Sequence, residues 1–181
     1  MKKNILGRLI LFALTIIVLP HSLTAQDAKE KEKLLSESAK AKSEFTKADP
    51  SMNKLFDNSY GYVIFPRVGK GGFIVGGSGG AGTVYEKGKE IGMAKVGGVT
   101  VGAQIGGQAY REVIFFENEE ALNRLKANKV EFSGQVSAVA VKSGVSKNAK
   151  YTDGVAVFTQ DIGGLMAEAS VGGQKFSYKA F

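Results

Sequence analysis

Apolar positions in the first half of the chain recur at a helical spacing. From Gln26 to about Ala48 the sequence is charged and lacks Gly and Pro, and its apolar residues are spaced by seven, four and three along one helical face: Leu34, Ala41, Phe45 and Ala48. Asp49-Pro50 then offers an N-cap with proline in the first turn, which predicts a short second helix with inward Met52, Leu55 and Phe56.

From Tyr60 the spacing changes to that of strands. "YGYVIFP" predicts a strand that Pro66 stops, and "GGFIVGG", "GTVYEKGKEIGMAKV" and "GVTVGAQIGG" follow, with turns predicted at Gly69–Gly72 and near Gly88. Later, "QVSAVAV", "GVAVFTQ", "GLMAEAS" and "QKFSYKAF" are strand-like as well. Between these groups, Asn118 is a candidate cap for a helix over about residues 118–127, with Leu122 and Leu125 on its buried side.

Glycine determines the kind of sheet that these strands predict. Sixteen of the 24 glycines fall between residues 61 and 107. Glycine inside strands marks strong curvature or the close approach of another backbone. The predicted fold is therefore α+β: a glycine-rich, strongly coiled, barrel-like antiparallel sheet with N-terminal helices and one inserted helix.

The first 25 residues have the pattern of an export signal. Lys2, Lys3 and Arg8 precede an apolar run over 9–19, and "SLTA" provides a small-residue exit, which predicts a signal peptide over 1–25. The alternative is a membrane anchor, but the run is well short of the ~20 residues that span a bilayer. Because no cysteine follows the run, the pattern excludes a lipoprotein. We expect an exported protein, periplasmic or extracellular and peripheral to a membrane.

The expected mature chain, 26–181, is long enough for one domain, with a helical segment over 26–58 and a β-rich core over 59–181. Removal of the three basic residues of the predicted signal lowers the net charge from +7 to +4. A charge of +4 favours a mild attraction to anionic surfaces and does not indicate nucleic-acid binding. The sole histidine, His21, lies in the predicted signal, and there is no cysteine. Ser–His–Asp or Cys–His catalysis and His or Cys zinc sites are thereby excluded. We therefore expect that the protein is not an enzyme and that it binds no cofactor or metal.

One glycine motif has the spacing of a phosphate loop. Gly77, Gly79 and Gly82 fit G-x-G-x-x-G, and Lys95 stands where a kinase strand lysine would be sought. The other kinase motifs are missing from the sequence, and no helix pattern follows as a dinucleotide fold requires. We therefore interpret these residues as structural glycines and expect no nucleotide.

Two basic segments are candidates for anion contact. "PRVGKGG" places Arg67 and Lys70 in a predicted glycine turn whose N–H groups can cradle an anion; the alternative is an ordinary hairpin with solvated basic side chains. The first helix, with Lys29, Lys31 and Lys33 near Leu34 and Phe45, is a candidate membrane-contacting helix. Its interleaved glutamates favour the alternative, a solvated face whose thin apolar stripe packs on the sheet.

Several motifs in order resemble those of the SYLF domain family: "GYVIFP", "KGGFIVGG", "GAQIGGQ" and "GGLMAEASVGG", over about residues 37–181. The resemblance implies binding of phospholipid, phosphoinositides in the eukaryotic relatives, and actin binding in some members. It assigns Lys70 to the family's lysine before G-F and the 27–48 helix to its lipid-binding segment. We expect this protein to differ from the eukaryotic pattern in its predicted export signal, in the absence of a partner-binding domain and in its charge-balanced helix.

The sequence thus predicts a non-enzymatic lipid- or phospholipid-binding module at a membrane surface of the cell envelope, whose partner is an anionic phospholipid or membrane. The alternative is a structural or protein-interaction module with an envelope protein partner. Actin binding rests on family analogy alone.

Overall fold

Apolar side chains point to both faces of the central strands, so this sheet is covered on both sides. The structure is a computed structural model that describes residues 21–72, 75–101, 108–130, 137–162 and 174–181. The helices are α1 (His21–Ala48), α2 (Met52–Asn58) and α3 (Glu119–Lys126), and the strands are β1 (Gly61–Gly72), β2 (Val75–Glu86), β3 (Lys89–Val101), β4 (Gln108–Phe116), β5 (Ala138–Ala140), β6 (Val155–Asp161) and β7 (Gln174–Ala180).

The predicted apolar stripe of α1 packs on the sheet. Leu34, Ala41 and Phe45 are buried, and Ser38 completes the stripe by placing its Oγ 2.8 Å from Thr83 Oγ1 on β2. The described part of the helix starts at His21, so the helix includes five residues before the predicted start at Gln26, and residues 21–25 contain neither Gly nor Pro to interrupt it.

The chain breaks between α1 and α2 at Asp49, as predicted, but α2 starts later than the Asp49-Pro50 pattern indicated. Ser51 immediately precedes the helix and makes no capping bond with its own side chain. The capping acceptor is instead the Asp49 carboxylate, whose Oδ1 accepts from the Ser51 N–H at 3.0 Å. Met52 and Phe56 are buried and Leu55 is partly so.

The sheet has the order β5-β6-β4-β1-β2-β3-β7. Five of its pairings are antiparallel, as predicted, but β5 runs parallel to β6, so the expectation of an all-antiparallel sheet was wrong at this edge. Parallel neighbours need a long crossover. Residues 141–154, which include a short 3-10 helix (Val145–Asn148), provide it.

The sheet curls strongly without closing. In the described part of the chain β5 and β7 are its two ends and do not pair with each other, so the barrel-like form is an open, coiled sheet. The curl brings distant strands together across the inner face: the Phe65 and Phe176 rings, on β1 and β7, have centroids 6.0 Å apart.

Two turn predictions within the first strand were wrong. Pro66 does not stop β1, because it lies in a bulge where Pro66 and Arg67 together oppose Arg111; the register passes from Phe65↔Glu112 to Val68↔Tyr110. A bulge tolerates proline, which has no N–H for the ladder. Likewise Gly69–Gly72 is strand and not turn, since these residues pair with 76–79 of β2. The turn near Gly88 is confirmed: Lys87 and Gly88 have φ of 49° and 78°, which suits a two-residue hairpin.

Helices cover the sheet on both faces. On the face that we call outer, α1 and α2 pack on an aromatic layer that includes Tyr62, Tyr85 and Phe115. On the inner face, α3 packs Leu122 and Leu125 on Val63 and Phe116. Its predicted cap is confirmed, since Asn118 Oδ1 accepts from the Ala121 N–H at 3.0 Å.

Candidate functional site

The bulge in β1 sets two arginines opposite each other. Arg67 is exposed, and the register places it, with Pro66, across from Arg111 on β4. The Arg111 Nη1 donates to Gln160 Oε1 on β6 at 3.4 Å, whereas Arg67 has no hydrogen-bond or ion-pair partner among the described residues. Arg111 is not predictable as a neighbour of Arg67 from the sequence, because only the pairing register brings residues so far apart in the chain together.

Lys70 lies on the same strand, three residues beyond Arg67. Its backbone pairs with Ser78 on β2 and Gln108 on β4, so it occupies an extended strand and not a glycine turn. An anion-binding nest of turn N–H groups, as the sequence suggested, does not form there, because the strand pairs on both sides. Arg67 and Arg111 therefore lie opposite each other, whereas Lys70 lies three residues further along β1 and pairs with Gln108; the Lys70 side chain lies outside the described residues.

The lysines of α1 face solvent while its apolar residues face the sheet. Lys29, Lys31 and Lys33 are exposed; Lys33 forms a 3.8 Å ion pair with Glu37, and the Lys31 ammonium lies 4.0 Å from the centroid of the Phe181 ring. Leu34 is 7% exposed and Phe45 is fully buried. Of the five candidate membrane-contacting residues, therefore, only the three lysines are accessible, and the helix packs on the sheet as in the second alternative above.

The phosphate-loop glycines are part of strand β2. A Cβ on Gly82 would lie 2.5 Å from the Ile64 carbonyl oxygen, and one on the neighbouring Gly80 would lie 2.5 Å from that of Arg67. Gly79 has room for a side chain, since its Cβ would meet only the Val96 carbonyl oxygen at 3.7 Å. Gly77 pairs with Gly71 and Val99 in the ladder. Gly82 is thus needed for close approach to β1, and a strand conformation does not cradle a phosphate.

A buried acid on the inner face was not anticipated. Glu112 is fully buried, and its Oε2 accepts from Gln174 Nε2 at 3.1 Å; the same Nε2 donates to the Tyr110 hydroxyl at 3.2 Å. Within the described structure the Glu112 Oε1 and the Gln174 Oε1 have no partner. Burial raises the pKa of Glu112 to about 7, and the bond from Gln174 only partly offsets this. The sequence feature that could have indicated this buried acid is the alternation of the strand, which places Glu112 on the same face as Tyr110 and Ile114.

A second buried carboxylate fastens the helix junction. Asp49 Oδ2 accepts from both the backbone N–H and the hydroxyl of Ser146 at 2.8 Å, and Oδ1 accepts from Ser51. Burial alone would raise the pKa of Asp49, but these hydrogen bonds outweigh it and hold the pKa well below its usual range. Asp49 is therefore a charged anchor between the α1–α2 junction and the 3-10 helix before β6.

Sites of other kinds are missing from the described ranges. No three His, Cys, Asp or Glu side chains gather there in a way that would hold a metal ion. Of the helices described, none is long and apolar enough to cross a membrane.

Fold and surfaces together define a small α+β domain with a curled glycine-rich sheet and a basic position at a bulge. Residues 97–180 match the family model described as Ysc84, Las17-binding protein actin regulator. The chain is also 33% identical, over 129 residues, to "Beta cell expansion factor A" of Aeromonas veronii; the match covers 70% of this chain and 49% of that protein. The chain therefore matches the SYLF domain family over residues 97–180, in agreement with the family that its motifs indicated. It spans about half the length of this relative.

Proposed function

We propose that this protein is a non-enzymatic module that binds anionic phospholipid at a membrane surface of the cell envelope. The observation that carries the proposal is Arg67: an exposed guanidinium without a partner among the described residues, set opposite Arg111. Guanidinium groups suit phosphate because they offer several N–H donors in a fixed plane. Lys70, three residues further along the same strand, is the second candidate for headgroup contact, on the basis of the family resemblance.

Three further observations support the proposal. SYLF proteins are associated with lipid and actin binding in general. The lysines of α1 face solvent, where they can meet an anionic surface. The single histidine and the absence of cysteine remove the commonest nucleophilic sites. An export signal over 1–25 would bring the protein to envelope membranes, where it would not meet actin.

Sedimentation with liposomes tests the proposal. The purified chain is expected to pellet with vesicles that contain anionic phospholipid and not with zwitterionic ones. Its binding should weaken strongly between about 50 and 200 mM salt, as screening shortens the range of the attraction. Equal, negligible pelleting with both vesicles at low salt would overturn the proposal.

Charge reversals locate the contact. A basic residue near an anionic membrane contributes about 1 kcal/mol, so Arg67→Glu should weaken binding by more than about fivefold. Lys70→Glu should act in the same direction. Lys129→Glu is the matched control, because Lys129 is exposed beside α3 on the other side of the sheet. Equal losses in the control and in Arg67→Glu would show that net charge alone decides binding.

One observation favours the alternative, a protein-interaction module. Among the described strands, β5 is an end of the sheet, and its Val139 is 39% exposed beside a groove of about 770 Å³ that Ser143, Lys147 and Lys150 help to line. Exposed strand edges can add a strand from a partner. A stable complex with an envelope protein that Val139→Lys abolishes, together with no liposome pelleting, would favour this function.

A further inference from the structure

A groove lies beneath the N-terminal half of α1. It has a volume of about 530 Å³, within the range of small-molecule sites, and it separates α1 from the outer face of β3 and β7. Leu34, Met93 and Phe181 are among its apolar lining. Phe181 is 43% exposed and Leu34 is buried, so the groove opens to solvent at Phe181.

The sequence of α1 explains why the groove is left unfilled. The buried stripe of the helix ends at Leu34, and the positions one and two turns before it, on the same face, are Lys31, Glu30 and Asp27. These side chains are exposed, and the apolar groups that α1 adds to the lining are Ala28 and Leu34, so Met93 stays half-buried.

The strands place unpaired positive charge along the groove. Alternation puts Met93 and Lys95 of β3 on the outer face, and the register sets Lys95 beside Ser177 and Met93 beside Lys179 of β7. Neither Lys95 nor Lys179 takes part in an ion pair with Asp27, Glu30 or another described carboxylate. Two ammonium groups and a hydroxyl therefore flank an apolar lining.

We infer that this groove binds a single-chain anionic amphiphile of the fatty-acid type. Its hydrocarbon chain lies on Leu34, Met93 and Phe181, and its carboxylate accepts from Lys95, Ser177 and Lys179. The inference rests on the proposed lipid-binding function and deepens it, because it gives the module a site for one lipid molecule, separate from the surface around Arg67. A bilayer surface is flat, whereas this groove lies between a helix and two strands and encloses a chain on both sides.

Lys31 is placed to respond to the ligand. Its ammonium now lies over the Phe181 ring at 4.0 Å. A carboxylate in the groove offers this ammonium an opposite charge in place of the weaker attraction of a ring face. Asp27 and Glu30 stay at the rim on α1, where solvent screens their repulsion of an anion.

Equilibrium dialysis of the purified chain with labelled palmitate tests the inference. Saturable binding at one site is expected, with methyl palmitate binding at least about tenfold more weakly, since a hydrogen bond to a charged group contributes about 1.5–3 kcal/mol. The double variant Lys95→Glu, Lys179→Glu should weaken palmitate binding by at least about tenfold. The matched control Lys129→Glu, Lys147→Glu changes charge equally on exposed positions outside the groove and should bind as the parent does.

A second variant removes space and not charge. Ser177→Trp fills the groove from an exposed strand position that accepts aromatic residues, and it should abolish palmitate binding. Unchanged palmitate binding in both Ser177→Trp and the lysine double variant, or no saturable binding to the parent chain, would overturn the inference. Liposome pelleting of the same proteins separates the two proposals: a parent that pellets with anionic vesicles but does not bind palmitate contradicts the groove alone.

Discussion

Gln174 on β7 donates a hydrogen bond to Glu112 on β4, although three strands of the sheet lie between them. The contact is possible only because the sheet curls enough to bring residues of β4 and β7 together across its inner face. Both residues are buried, and each keeps a side-chain oxygen without a partner in the described structure. This link across the sheet therefore involves a carboxyl group whose ionisation is opposed by its burial.

We predict that the stability of the fold decreases as Glu112 ionises. Its pKa rises from 4.5 in the unfolded chain to about 7 in the fold, so the folded state holds the proton more tightly. The stabilisation is complete below pH 4.5 and is lost as the pH rises through about 7. The shift from 4.5 to about 7 corresponds to about 3 kcal/mol in the free energy of unfolding, measured by urea denaturation across this range.

Glu112→Gln isolates this effect, because it keeps the shape of the side chain and removes the titration. The variant should lose the decrease between pH 4.5 and about 7. Tyr110→Phe is the control: it removes the second acceptor of Gln174 Nε2 and should keep the pH dependence. A Glu112→Gln protein that still loses stability over this range would show that another group is responsible.

Three glycines of β2 should respond differently to alanine. Gly80→Ala and Gly82→Ala place a Cβ 2.5 Å from a carbonyl oxygen of β1, and we expect each to cost about 1–3 kcal/mol or more of unfolding free energy. Gly79→Ala makes only an ordinary contact at 3.7 Å and should be neutral, or stabilise by up to about 1 kcal/mol by restricting the unfolded chain. Thermal unfolding followed by circular dichroism compares the three. Equal losses at all three positions would contradict the close-approach explanation.

The different roles of these glycines show which features of the fold can be predicted from the sequence. The concentration of glycine predicts a coiled sheet, and the α1 stripe and the Asn118 cap follow from local patterns. Which glycine is indispensable depends on where the β1 bulge brings a carbonyl oxygen against β2, and no local pattern specifies this. The motif spacing singled out Gly77, Gly79 and Gly82, whereas the register adds Gly80 and leaves Gly79 replaceable.

The candidate site was predicted less completely than the fold, for the same reason. Arg67 could be predicted as a candidate from the sequence. Arg111 lies next to it only because β1 pairs with β4, and the sequence does not specify this pairing. Pro66 predicted the end of a strand because proline has no N–H for the hydrogen-bond ladder of a sheet. The strand continues because Pro66 lies in a β-bulge, where proline is tolerated. The parallel pairing of β5 and the contact between Gln174 and Glu112 likewise depend on the path of the whole chain.

Asp49 should be a large single contributor to stability. Asp49→Ala leaves the Ser146 N–H buried without its acceptor, and we expect a loss of about 3 kcal/mol or more in the free energy of unfolding. Because its folded pKa is depressed, the parent should lose this contribution as the pH falls below 3.8, the value in the unfolded chain. Asp57→Ala, at an exposed position of α2, is the matched control. A loss no larger than that of the control would show that the hydrogen bonds of Asp49 contribute little.

An engineered disulfide between α1 and the sheet would test whether α1 must leave the sheet for the protein to bind a membrane. Ser38 Oγ and Thr83 Oγ1 lie 2.8 Å apart across the helix–sheet interface, and the chain has no cysteine of its own. The variant Ser38→Cys, Thr83→Cys should therefore form one defined disulfide that holds α1 in place. If lipid is met by Arg67 and the exposed lysines, the oxidised protein should pellet with anionic liposomes as well as the reduced one does.

The opposite result has an equally definite meaning. Leu34 and Phe45 are buried under α1, so a helix that inserts them into a bilayer must first leave the sheet. Binding that appears only after reduction would assign membrane contact to the apolar face of α1 and contradict the surface around Arg67. The single variants Ser38→Cys and Thr83→Cys, which cannot form the cross-link within one chain, control for loss of the buried Ser38–Thr83 hydrogen bond. Because the same disulfide also keeps the groove beneath α1 closed on its helix side, palmitate should bind the oxidised and reduced forms alike.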